Sequence, residues 1–293
     1  MPIQNLISRL QDFDEKQSFF VVGSAKSGTT RLMRCLDGHD DIFCSGEDMS
    51  DRIINEIPKL VEAYNKETVT ALPNQTGVAT PFLYTQQSFE ELCAFVLYQQ
   101  FISHPANPDA KFLGSKQPDL LRIIDPVAAF LPEAKFLHII RDGRDVLVSA
   151  WHHNLQAKTP GFETTPPDLG AFVRANLDTW KRAVEIYRDF GRKHPDRYKE
   201  VRYEGLLEAP EQTLAEVLDF IGAESDPEHL QSCVAHGDFK RMSGRARGTE
   251  DRTSFFRKGV AGDWSKHFDE KTIAAIKASD AGALLEELGY TGW

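Results

Sequence analysis

Three basic side chains stand where short apolar runs end. Lys26 follows Ser18–Val22 (SFFVV), Lys116 closes Lys111–Lys116 (KFLGSK), and Arg141 follows Lys135–Ile140 (KFLHII). Runs this rich in aromatic and branched residues have the pattern of buried strands. Cations at successive strand ends make a site for an anion with more than one charged group. The first cation has the most around it. The stretch Gly23-Ser24-Ala25-Lys26-Ser27-Gly28-Thr29-Thr30 supplies two glycines for a tight turn, one ammonium, and the hydroxyls of Ser27, Thr29 and Thr30. A helix expected over Thr29–Leu36 turns its free amides and positive dipole end toward that loop, which favours phosphate-like anions. A carboxylate, Glu47, follows shortly after as an acid–base candidate. Asp48 beside it and His104 in a later loop are its rivals.

The loop departs from the phosphate loop of nucleoside triphosphatases, G-x-x-x-x-G-K-[ST]. Gly23 and Gly28 have that separation, but Thr29 stands where the lysine belongs, and the lysine lies two places before the second glycine. The architecture is that of a phosphate loop with its cation moved. The Mg²⁺ arrangement of a triphosphatase does not follow from it.

Positioning such a site calls for strands alternating with helices. Asp40–Cys44 reads as a second short strand and Tyr198–Tyr203 as a late one. Helices are expected over Asp48–Tyr64, Ser88–Ser103, Pro118–Phe130 and Val146–Gln156, within Pro166–His194, and over Pro210–Ile221 and Asp226–Ala235. Asn65–Tyr84, with Pro73, Gly77 and Pro81, reads as a loop. Phe239–Phe256 is basic and Gly-rich with little periodicity, and Lys271–Leu288 reads as one closing amphipathic helix. This order predicts an α/β fold: a single domain over 1–293, with a central, mainly parallel β-sheet flanked by helices. Insertions around 48–110 would wall an acceptor site, and 238–263 would form a lid-like segment. Ligands in such sheets bind beyond the carboxyl ends of the strands, where Lys26, Lys116 and Arg141 fall.

Composition narrows the partners. With 41% hydrophobic and 27% charged residues, the 293-residue chain can bury a full core and is not of the disordered class. A net charge of −10 argues against general nucleic-acid affinity, so any anion site is a local basic pocket. Cys35, Cys44, Cys93 and Cys233 have no C-x-x-C spacing, so neither a zinc site nor a disulfide framework follows, and buried free thiols are expected. The first seventeen residues are too polar for a signal peptide, and no apolar run approaches about 18 residues, so no transmembrane segment and a cytoplasmic location are expected.

Three separated motifs resemble, in order, those of the sulfotransferases that use 3′-phosphoadenosine 5′-phosphosulfate (PAPS). Ala25-Lys26-Ser27-Gly28-Thr29-Thr30 resembles the 5′-phosphosulfate loop. Phe136–Ser149, with Arg141 and Ser149 eight apart, resembles the 3′-phosphate motif, and Arg257–Trp264 the late R-K-G-x-x-G-x-W segment. The resemblance implies that Lys26, Ser27, Gly28, Thr29 and Thr30 hold the phosphosulfate, and that Arg141, Ser149, Arg257, Lys258 and Gly259 hold the 3′-phosphate. Tyr203, in a segment similar to the family's R-Y-E-x-L, would approach the adenine. Several branches place an aromatic that stacks on adenine where this chain has Arg31, so the base would turn to Trp264 or Phe256.

The small-molecule branch takes its base from a histidine shortly after the lysine-bearing strand. Here Gln117 and Pro118 follow Lys116. The tyrosylprotein and heparan-type branches use a glutamate after the first helix, which Glu47 in Cys44-Ser45-Gly46-Glu47-Asp48 matches. The block from Leu32 to Glu47 is similar to the tyrosylprotein and bacterial-type branches. The implied reaction is in-line transfer of a sulfuryl group from PAPS to a hydroxyl or amine acceptor, leaving PAP. Glu47 would take the acceptor proton, and Lys26 and Lys116 would stabilise the developing charge, with no metal. The alternatives are an ATP-dependent phosphotransferase with a phosphate loop and a non-catalytic nucleotide-binding module. Acceptor identity and oligomeric state, a homo-oligomer included, are left open.

Overall fold

Phe19 and Val21 point to one side of the central strand, Phe20 and Val22 to the other, and all four are fully buried. A strand apolar on both faces must lie between two layers. The computed structural model describes residues 3–46, 50–76, 83–102, 107, 109–118, 120–162, 166–251, 254 and 256–293. In chain order, its first half contains α1 (Ile3–Asp14), β1 (Gln17–Val22), α2 (Thr29–Leu36), β2 (Ile42–Ser45), α3 (Ser50–Thr76), α4 (Gln86–Ile102), β3 (Phe112–Lys116), α5 (Ile124–Phe130) and β4 (Lys135–Ile140). After these come α6 (Gly143–Gln156), α7 (Leu169–Lys193), β5 (Tyr198–Arg202), α8 (Tyr203–Glu208), α9 (Pro210–Ile221) and α10 (Pro227–His236). The chain closes with α11 (Phe239–Ser243), α12 (Glu270–Lys277) and α13 (Asp280–Glu287).

The five strands form one sheet in the order β2-β3-β1-β4-β5, every pair parallel. The fold is α/β, as the alternation predicts, and the sheet is wholly parallel. Phe20, Val22, Leu113 and Phe136 pack against α4, α5 and α7 through Phe101, Val127, Tyr187 and Phe190. On the other face Phe19, Val21, Leu137 and Ile139 meet Leu32 and Leu36 of α2, Leu214 and Leu218 of α9, and Cys233 of α10. A third cluster joins Ile140 and α6 to Trp180, Trp264 and Leu285. Register is strongly specified here, because a one-residue slip of β1 would exchange its two sets of side chains. Val21 pairs with Lys116 and Val22 with His138, so the turn after β1 is flanked by the ends of two neighbours.

Several element expectations need correction. Asn65–Tyr84 is not a loop in its first part: α3 continues to Thr76, and the Asn65 side chain pins the start of the next helix through both the amide and the carbonyl of Tyr84. Pro118–Phe130 is not one helix. A short 3-10 turn at Leu120–Arg122 precedes α5, with Leu120 and Ile123 bonded back to Gln117 and Leu120. Lys271–Leu288 divides into α12 and α13, because the Ser279 hydroxyl accepts the Gly282 amide and starts a new helix. Phe239–Phe256 opens as α11, and Arg245 then hydrogen-bonds the carbonyls of Thr249 and Phe256, so its described part is internally tied.

All four cysteines are free and buried, and burial pushes the Cys35 thiol up to about 11. Among the described residues no helix is long and apolar enough to cross a membrane.

Candidate active site

The turn after β1 is shaped by backbone conformations that most residues avoid. Gly28 caps α2 at φ 105°, and a Cβ there would lie 2.4 Å from the Tyr203 ring. Glycine is needed for both reasons. Lys26 has φ 72° without being glycine, a conformation costing roughly 1–3 kcal/mol and typical of binding loops. Ser27 braces the turn, its amide and hydroxyl both donating to the Ser24 carbonyl at 3.0 and 2.6 Å.

Arg141 follows β4 at the neighbouring strand end. Its guanidinium donates to the Lys26 carbonyl at 3.3 Å and to the Val260 carbonyl at 3.0 Å, and lies over the Tyr203 ring at 4.5 Å. Burial works against its charge, but Tyr203, Asp145 and Glu204 around it leave its pKa raised. The late segment is brought in by α6. Asp145 accepts the Gly262 and Trp264 amides at 2.7 and 2.9 Å. Gly259 has φ 68° and packs so closely on Phe239 that a Cβ would lie 2.3 Å from its ring.

These pieces enclose a cavity of about 240 Å³. Of the residues singled out in the sequence, Lys26, Gly28, Thr29, Thr30, Arg141, Ser149, Tyr203, Arg257, Lys258 and Gly259 line it. Ser27 and Lys116 stand outside the lining. Ser27 is spent inside the turn, and Lys116 is buried at the end of β3. Glu47, its rival Asp48 and the alternative base His104 lie outside the described residues, as does Arg252 of the basic stretch.

Phe256 lines the cavity but Trp264 does not. The Asp145 clamp turns Trp264 into the third core cluster, where it stacks on Arg144 at 3.9 Å; Trp293 covers that guanidinium at 4.4 Å. Sequence reasoning missed Phe239 and Met242, which line the cavity from the short helix α11. His153 lies one turn beyond Ser149 on α6 and lines the same cavity. A signal was available: Ser149 and His153 are four apart on one helix face.

The donor set suits an anionic nucleotide. Arg31 and Arg141 both line the cavity, and the Nε of each is buried and has no hydrogen-bond partner among the described residues. Buried donors of this kind normally find an acceptor. Thr29 and Thr30 at the start of α2 and the cationic Arg141, Arg257 and Lys258 line the cavity, together with the apolar surface of Tyr203, Phe239, Met242 and Phe256.

A parallel α/β sheet with a cation-lined cavity at its strand ends belongs to the class of folds that bind ligands beyond the carboxyl ends of their strands. The model of the sulfotransferase family matches residues 18–227, from β1 to the start of α10. The chain belongs to the sulfotransferase family. It is 29% identical over 211 residues to a protein-tyrosine sulfotransferase of Drosophila melanogaster, covering 71% of this chain and 38% of that protein. It is 30% identical over 166 residues to human sulfotransferase 2B1, covering 52% of this chain and 44% of that protein. The chain therefore spans less than half the length of these two relatives. The solved structure of mouse sulfotransferase SULT7A1 complexed with PAP has a similar fold, with a TM-score of 0.58, 19% identity, and coverage of 95% of this chain and 90% of that one.

Proposed function

We propose that the cavity takes PAPS and that the chain moves the sulfuryl group to a hydroxyl or amine acceptor. One observation carries this reading: cationic side chains from distant parts of the chain converge on one cavity in two sets. Lys26 with the turn Gly28–Thr30 forms one, and Arg141, Ser149, Arg257, Lys258 and Gly259 form the other. A nucleotide charged at both its 5′ and 3′ positions needs two such groups; ATP, whose phosphates run in one chain, does not.

The residue roles proposed are those that the family resemblance implies, and the cavity lining supports them. Lys26, Gly28, Thr29 and Thr30 hold the 5′-phosphosulfate, with Ser27 keeping the turn in shape. Arg141, Ser149, Arg257, Lys258 and Gly259 hold the 3′-phosphate. Tyr203, Phe239, Met242 and Phe256 enclose the base. PAPS supplies the activated S–O bond whose cleavage drives the transfer. Lys26 and Lys116 offset negative charge near the turn, Lys116 from the strand end paired with Val21. Glu47 accepts the acceptor's proton. It follows β2 by two residues, and Ser45 at the end of that strand pairs with Ser115, next to Lys116. Residues 48–110 wall the acceptor side and 238–263 close over the nucleotide. Because the Drosophila relative is named for protein tyrosine, a phenolic hydroxyl is the first acceptor class to try.

Thermal shift decides between nucleotides. A ligand at a hundred times its Kd stabilises by about 2.7 kcal/mol. PAP should raise Tm well beyond AMP or ATP–Mg²⁺ at equal concentration. A larger shift with ATP–Mg²⁺ would make phosphoryl transfer the better reading.

A further inference from the structure

The late segment carries its own counter-charge. Asp263 accepts from Arg257 Nη2 at 2.5 Å through Oδ2 and from Lys258 Nζ at 2.5 Å through Oδ1, and His267 Nε2 lies 3.0 Å from Oδ2. The Asp263 side chain is 1% exposed, whereas those of Arg257 and Lys258 are 11% and 16% exposed. The two cations line the cavity and Asp263 does not. Its carboxylate therefore sits behind them, on the protein side. A carboxylate competing with a ligand anion would stand between the cations and the cavity; one behind them holds them in place.

Asp263 is itself held. The amides of its neighbours, Gly262 and Trp264, both donate to the Asp145 carboxylate at 2.7 and 2.9 Å. The same carboxylate lies 3.5 Å from Arg141 Nη2. Two buried acids thus back three of the cavity's cations, Asp145 behind Arg141 and Asp263 behind Arg257 and Lys258.

We propose that Asp263 is a positioning residue for recognition of the 3′-phosphate, fixing Arg257 and Lys258 so that both cations face the cavity before nucleotide arrives. This rests on the reading above that those two cations hold that phosphate. Arg and Lys side chains lose much rotamer freedom when they bind an anion. Ordering them in advance removes that loss from the binding step. Asp263 is suited to the task over a wide pH range. Burial alone would raise its pKa, but hydrogen bonds from Lys258 and Arg257 outweigh this and hold its carboxyl well below the usual carboxylate range.

The test is calorimetric titration of the full chain with PAP and with AMP, which differ by the 3′-phosphate. The wild type should prefer PAP. In Asp263→Asn the ratio of the AMP to the PAP dissociation constant should fall roughly tenfold or more, through weaker PAP binding alone. Equal weakening of both nucleotides would mean general structural damage and would overturn the proposal, as would an unchanged ratio. Tighter PAP binding would also overturn it, showing the carboxylate to be a competitor. If Asp263→Asn does not fold, Asp263→Glu carries the test, since it keeps the charge but moves it by one methylene. A several-fold smaller ratio supports positioning, and a wild-type ratio overturns it. A wild type without preference for PAP over AMP would instead sink the assignment of the 3′-phosphate site, and this inference with it.

Discussion

Arg141 Nη1 donates to the carbonyl oxygen of Lys26 at 3.3 Å, joining residues 115 apart in the chain. The other arm of the same guanidinium reaches the Val260 carbonyl. One side chain therefore ties the turn after β1 to the late segment, from its own place between β4 and α6. Both carbonyls belong to segments that line the cavity, so the cation assigned to the 3′-phosphate also sets the distance between its walls.

Replacing Arg141 by lysine tests that double role. Lysine keeps the charge but lacks the planar fork that reaches two carbonyls at once. Arg141→Lys should weaken PAP binding by about 1.5–3 kcal/mol, the usual worth of charge-assisted hydrogen bonds. Calorimetry reads this directly, and a dissociation constant within twofold of wild type would show that charge alone suffices.

Glu47→Gln separates binding from chemistry. The amide cannot take a proton, so turnover should fall by ~10²–10⁴ while PAP binding stays as in the wild type. Initial rates with a phenolic acceptor, alongside a PAP titration, provide the check. Retained turnover would move the base to Asp48 or His104.

Gly28→Ala meets two obstacles at once. Its backbone has φ 105°, and the new methyl would lie 2.4 Å from the Tyr203 ring. The positive φ alone costs roughly 1–3 kcal/mol. Urea unfolding should show at least that loss. Nucleotide affinity should fall with it, because Tyr203 must leave its place under Arg141.

His138 makes stability depend on pH. It is fully buried in β4, where burial first and the nearby Arg188 second lower its pKa to about 3. Its Nδ1 shares a 2.6 Å hydrogen bond with the Tyr198 hydroxyl. An unfolded chain protonates this histidine near pH 6.5, so between about 6.5 and 3 the unfolded state binds the extra proton. The contribution is full above pH 6.5 and shrinks as pH falls through that window, by about 1.4 kcal/mol per unit. Between pH 7 and 5 the wild type should lose about 2 kcal/mol more than His138→Gln. Parallel urea midpoints for the two proteins across that range would refute it.

The sheet was legible because its strands announce themselves. Phe19–Val22 is apolar without interruption, Phe136–Ile140 is broken only by His138, and a cation or glycine follows each. Helix ends were harder. Nothing local separates the Ser279 hydroxyl that starts α13 from an ordinary helix serine, and only the turn it caps shows the break. Asn65 likewise reads as a loop residue until Tyr84 is seen to return to it.

Within the candidate site, residues with unusual chemistry could be picked out from the chain, and residues with ordinary chemistry could not. Lys26 and Arg141 stood out by type and position. Phe239 and Met242 look like any apolar pair in a short helix. Trp264 misled for the opposite reason. An indole beside a basic motif suggests base stacking, yet the Asp145 clamp, 119 residues away from the Trp264 amide, turns it onto Arg144.

The cavity draws Lys26, Arg141, Tyr203 and Lys258 from widely separated parts of the chain. No contiguous fragment contains the binding surface, and contacts of such long span form late and slowly in folding. A nucleotide bound as proposed recognises only the finished molecule. It would slow unfolding without hastening folding, and nucleotide titration would count correctly folded molecules in any preparation.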